Sequence, residues 1–147
     1  MKKIILILLL LALAVGGWYV YSLYSGKNPD LAEAKPDHSV TATELLAAFD
    51  RDSASSARNY VNAIVRVSGT VTRIDTSGVI TLGRMGEMST VECMLDARHR
   101  PDLALAKEGQ PVTLQGRCTG YKQETMLDVN LGTTVEFNFC AVVQDRQ

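Results

Sequence analysis

The stretch Val65-Arg66-Val67-Ser68-Gly69-Thr70-Val71-Thr72-Arg73 alternates apolar or small residues with polar ones. Successive strand side chains point to opposite faces, so this pattern predicts a half-buried β-strand with Gly69 as a candidate bend or bulge. Asp75-Thr76-Ser77-Gly78 then reads as a turn, and Val79 to Leu82 as a strand pairing back. Gly83 to Met88 is a second turn. Thr90 to Leu95 is a third strand, with Val91, Cys93 and Leu95 inward.

Further along, Pro101 to Lys107 reads as a short helix closed by Glu108-Gly109. Val112, Leu114, Gly116 and Cys118 alternate with Thr113, Gln115 and Arg117 as a fourth strand. A last strand is expected within Thr134 to Val143, with Val135, Phe137 and Phe139 on one face; Met126 to Leu131 is an extra strand or a hairpin. Upstream, Thr41-Ala42-Thr43-Glu44 fits a helix capping box. Leu45, Leu46, Phe49, Ala57 and Tyr60 then give a helix an apolar face, with a break expected near Asp52 to Ser56. Three strands in meander, a lone helix and two more strands is the order of a five-stranded Greek-key barrel, the OB-fold. The expected fold is therefore mainly β: that barrel behind an N-terminal amphipathic helix, with one transmembrane helix in front.

The front of the chain has a different chemistry. Lys2-Lys3 precede an unbroken apolar run, Ile4 to Val15, and no charge interrupts residues 4 to 24. As a helix those residues would span roughly 32 Å, close to a bilayer's hydrocarbon thickness. Trp18, Tyr19, Tyr21 and Tyr24 gather near one end, where such rings favour the headgroup interface, and the lysines keep the other end cytoplasmic. The alternative is a cleaved signal peptide ending at Ala12-Leu13-Ala14. Either reading exports the domain. No cysteine precedes Cys93, which speaks against a lipid-modified one at the usual place. Residues 25–40 hold two prolines and five formal charges and read as a tether, with His38 a solvated loop residue. The expected organisation is anchor 1–24, linker 25–40 and barrel domain 41–147. The expected address is the inner membrane, crossed once through residues 4–24 with the domain on the periplasmic side.

Net charge is −1, and without Lys2 and Lys3 there are 13 basic against 16 acidic residues. A domain built to hold phosphates is usually basic. There is no CxxC, no HExxH, no phosphate-cradling glycine loop and no serine elbow, so neither a metal nor another cofactor is expected. His99 stands in Arg98-His99-Arg100 on a polar loop, a poor base for any thiol. On these grounds the chain is expected to be a binding module and not an enzyme.

Thr41, Glu44-Leu45-Leu46, Phe49, Ala57, Tyr60, Val67, Gly69-Thr70-Val71, Val91, Cys93, Gly109, Val112, Gly116-Arg117-Cys118-Thr119-Gly120 and Cys140 occur in an order and spacing that resembles the tRNA_anti-like family of bacterial OB-fold proteins. The resemblance covers about residues 40 to 143; Tyr121 to Thr133 is longer than the family's pattern. It implies an OB barrel, often behind a membrane or lipoprotein segment, and carries no catalytic residues. Three cysteines allow three pairings. Strands four and five are neighbours in such a barrel, so topology and resemblance together favour a Cys118–Cys140 disulfide, leaving Cys93 a buried thiol. An OB-fold ligand face lies on strands two and three and nearby loops. Here that gives Arg73, Thr81, Arg84, Glu92 and Met94, with Tyr121 and Lys122 from a later loop. An acid among them, and no aromatic on the strands, favours an envelope protein or small ligand over single-stranded nucleic acid.

Overall fold

In the computed structural model, which describes residues 12, 14–19, 21, 30–127 and 129–143, one long strand organises the sheet. This is β2 (Ile64–Ile74), preceded by β1 (His38–Thr41), α1 (Ala42–Arg51) and α2 (Ser53–Tyr60). It is followed by β3 (Val79–Gly83), β4 (Thr90–Leu95), a 3-10 helix (Ala97–Leu105), β5 (Pro111–Met126) and β6 (Val129–Val142). One edge of β2 pairs antiparallel with β5, from Ile64 opposite Arg117 to Thr70 opposite Pro111. The other edge is shared: β1 runs parallel beside Val65–Ser68, and β3 runs antiparallel beside its far end. The handover falls at Gly69. A Cβ there would stand 2.9 Å from the Ala42 Cβ, so only glycine lets α1 start against the strand.

From β3 the sheet continues to β4, then to β6 in parallel, then to β5, which returns to β2. Five strands thus close into a barrel, and the fold is OB-like. Val65, Val67, Val71, Ile80, Leu82, Val91, Leu114 and Val135 fill its interior. The capping box at Thr41 is formed in both directions, and the chain breaks at Asp52, whose carboxylate caps α2. α1 lays Leu45, Leu46 and Phe49 on the barrel. Phe49 stacks obliquely on Tyr121, ring centres 5.1 Å apart.

Several expectations shift in detail. The short helix is 3-10 and begins at Ala97. Asp96 caps it, and the Arg98 guanidinium and backbone N–H hold the Asp96 carboxyl down to about 2. The last two strands are longer than expected, and their ladder runs as far as Met126 opposite Val129. Phe139 does not share a face with Val135 and Phe137: it takes φ +54°, and β6 spends one residue more than both its neighbours there. That bulge puts Cys140 inward in its stead.

The expected tether is, from residue 30 on, packed against the barrel. Leu31 is only 2% exposed. The buried Gln115 donates from Nε2 to the carbonyls of Leu31 and Ala34 and accepts from Arg66 Nε through Oε1. Asp37 exchanges two hydrogen bonds with the Ile64 backbone. His99 bridges Asp30 and Asp102, one ring nitrogen on each. Burial opposes charge on His99, but the two carboxylates outweigh it and raise its pKa. His38 lies in β1 with its ring edge on Tyr60. Most of the expected anchor, residues 4–24, lies outside the described residues. Of it, residues 12, 14–19 and 21 are helical, with Trp18 and Tyr19 exposed. No helix among the described residues is long and apolar enough to cross a membrane.

Candidate ligand face

The outward side chains of the barrel are set by register. Arg73 on β2 lies opposite Thr81 on β3, Thr81 opposite Glu92 on β4, and Glu92 beside Glu136 on β6. One row therefore crosses four strands and ends with two acids side by side. Next to it lies a cleft of about 200 Å³. Val79, Met94 and Phe137 give it an apolar floor, and Glu92, Glu136, Thr119 and Asn138 its polar rim. Met94 is 48% exposed, a large apolar group held open to solvent on an otherwise polar strand face.

Lys122 is the cation that meets these two acids. Its Nζ pairs with Glu136, which raises its pKa, and Glu92 adds to the same pull from the next strand. Arg73 is turned to Asp75, 3.4 Å away, at the face's far border. Of the seven residues expected here, Arg73, Thr81, Glu92, Met94 and Lys122 share the face. Arg84 does not: it sits in the β3–β4 turn with Glu87 at 3.3 Å, lining a separate cleft beside α1. Tyr121 does not either, because a register shift in β5 after Cys118 turns its ring onto Phe49. Sequence reading missed Glu136, Asn138 and Thr119, since it placed the face on two strands only. The alternation of Glu136 between Val135 and Phe137 was there to mark it as outward. What it could not reveal was the parallel β4–β6 pairing that carries it beside Glu92.

The three thiols lie inside the barrel and are free, so the expected Cys118–Cys140 bridge is not present. β5 and β6 are indeed neighbours, but Cys118 stands opposite Phe137, while Cys140 faces Leu95 and closes over Gly116. The two cysteines are thus diagonal across the ladder, a poor setting for the short Cβ separation a disulfide needs. Burial pushes the Cys118 thiol up to about 11 and that of Cys140 well above its ordinary value. Neither supplies a thiolate near neutral pH. Among the described residues no group of three or more His, Cys, Asp or Glu side chains could hold a metal ion.

A family model, tRNA_anti-like, matches residues 1–130. The chain belongs to the tRNA_anti-like family. Among solved structures it is similar to a putative nucleic acid-binding lipoprotein from Klebsiella pneumoniae subsp. pneumoniae MGH 78578, with a TM-score of 0.53 at 16% identity. The match covers 71% of this chain and 91% of that one, and at this identity it shows the fold alone. No curated protein sequence matches the chain.

Proposed function

We propose that this tRNA_anti-like protein is a membrane-anchored, extracytoplasmic binding module that takes a cationic group of an envelope protein or small ligand on the open barrel face. The observation that carries the reading is the pair Glu92 and Glu136, side by side across β4 and β6 at the rim of an apolar-floored cleft. Two carboxylates at that spacing, with a single lysine between them and solvent, attract a cation and repel a phosphate chain. Among the residues lining the cleft the one aromatic, Phe137, is 3% exposed, too little for bases to stack on. Binding without chemistry fits the raised pKa values of the buried Cys118 and Cys140 thiols and a histidine committed to two carboxylates. Anchoring rests on the uncharged run of residues 4–24 behind Lys2-Lys3.

Single-stranded nucleic acid is the second reading, favoured by the likeness to a protein described as a nucleic-acid binder on the same fold. The two separate in one experiment. Full-length chain in detergent is titrated against labelled oligolysine peptides and labelled single-stranded DNA and RNA, by fluorescence anisotropy at two salt concentrations. Peptide binding lost in Glu92→Gln and Glu136→Gln is the expected result. Oligonucleotide binding that weakens steeply with salt would replace it with the nucleic-acid reading. The anchor is checked separately: the chain should stay with membranes through alkaline extraction.

A further inference from the structure

Beside the same cleft, across the β5–β6 ladder from Asn138 of its lining, stands the Arg117 guanidinium. Arg117 on β5 is half-buried, and its Nε is sealed from solvent with no hydrogen-bond partner among the described residues. No carboxylate among them pairs with it either. A buried donor left unmade is costly, and such groups are rare enough to need a reason. Two residues earlier on the same strand, Gln115 donates both amide hydrogens and accepts through its oxygen. The strand is therefore not generally short of partners.

Register sets Arg117 one strand over from the cleft lining. It lies opposite Asn138, and two residues before Thr119, both of which line the cleft. Asn138 has its carboxamide oxygen committed to the Phe139 N–H, 2.9 Å away, in the bulge where Phe139 is held at φ +54°. Its amide NH2 is what remains, so Arg117 and Asn138 both present donors. Bulges that re-aim side chains, and strained residues, gather at working sites.

We infer that Arg117 and Asn138 form the anion-holding end of this cleft, and that the ligand is an amino acid or peptide carrying a carboxylate for them and a cationic group for Glu92 and Glu136. The inference rests on the cleft being the ligand face. Along β6 the two ends are two residues apart, roughly 7 Å, a span that a lysine bridges between its α-carboxylate and its ε-ammonium. A cleft of about 200 Å³ suits a group of that size better than a polymer segment.

The test follows the Arg117 Nε–H resonance and the amides of Glu92 and Glu136 in full-length chain in micelles. The probes are Nα-acetyl-lysine, its carboxamide, n-butylamine and inorganic phosphate. Acetyl-lysine should move both ends, and its carboxamide should bind about tenfold or more weakly. Arg117→Met should lose that same preference while melting at the wild-type temperature or higher, since it removes an unsatisfied donor. A lower melting temperature for Arg117→Met would make the guanidinium structural and overturn the inference. So would a carboxamide that binds as well as the acid, or phosphate that moves Arg117 as strongly. If acetyl-lysine, like n-butylamine, moves Glu92 and Glu136 while Arg117 stays silent, this inference fails and the cationic reading stands. If no probe moves either end, the cleft itself is the wrong site.

Discussion

Gln115 and Arg117 are two residues apart on β5 and point out of the same barrel, yet their surroundings are opposite. Gln115 lies under residues 30–37, fully enclosed, and is held by two carbonyls and a guanidinium. Arg117 lies across the ladder from Asn138 of the open cleft, its Nε sealed and without a hydrogen-bond partner among the described residues. α1, α2 and the docked strap cover and satisfy parts of the barrel, while the face around the cleft is open and carries its charges unevenly. Polar groups on a covered surface contribute stability only when paired. The covered side therefore looks made for permanence, and the open side tolerates an unfavourable arrangement that a ligand could complete.

The largest effect separating the two sides is expected at Phe49. It is fully buried between α1 and the barrel, against Tyr60 and Tyr121. Phe49→Ala should cost about 3–5 kcal/mol of unfolding free energy by urea denaturation. Met94→Ala on the open face should cost no more than about 0.5 kcal/mol. Equal losses at the two positions would dissolve the distinction.

Gln115→Ala comes next. It strips the partner from Leu31 O, Ala34 O and Arg66 Nε at once, and should cost about 1–3 kcal/mol. Hydrogen exchange should show the amides of residues 31–37 opening ahead of the barrel. If strap and barrel lose protection together, the strap is part of the core and not a layer laid over it.

That layer is where sequence reading stopped. Alternation at Val65–Arg73 and Thr90–Leu95, and the capping box at Thr41, are short-range patterns, and each element stands where those patterns put it. Residues 30–37 have no period. Pro36 and four formal charges in the stretch describe a tether, and only Leu31 hints otherwise. What docks it is a glutamine 84 positions away in sequence from Leu31, a pairing no local pattern encodes. The same holds at the cleft. Glu92 and Glu136 could each be read as outward, but their adjacency depends on a parallel ladder between β4 and β6. The bulge at Phe139 depends on two neighbouring strands that each want one residue fewer.

pH offers a gentler way to part strap from barrel. His99 donates to Asp30 and Asp102 together only when protonated, since the neutral ring has a single N–H. Its folded pKa is raised, so the stabilisation is complete below the ordinary value of 6.5 and is lost as pH rises through the raised one. Arg98, beside it, is held by Asp96 and keeps its charge throughout. Cleavage in residues 30–37 by a protease added in short pulses should therefore speed up from pH 6 to pH 8, with the barrel unchanged. His99→Gln should flatten that dependence, and a strap that tightens at higher pH would reverse the assignment.

The smallest effect is the one most telling about the open side. Lys122 is well exposed in its pair with Glu136, and exposed ion pairs contribute little to stability. Lys122→Met should thus leave the urea denaturation midpoint at the wild-type value. Binding should respond differently. The lysine neutralises the carboxylates that the proposed cation would meet, so removing it should strengthen oligolysine binding, most clearly at low salt where surface charges are least screened. Glu136→Gln should weaken it. A tighter peptide complex without a stability change would mean that the open face keeps Lys122 as a competitor for its own ligand. An unchanged affinity would place the cation elsewhere, and the two carboxylates would then be a solvated row like any other on a barrel surface.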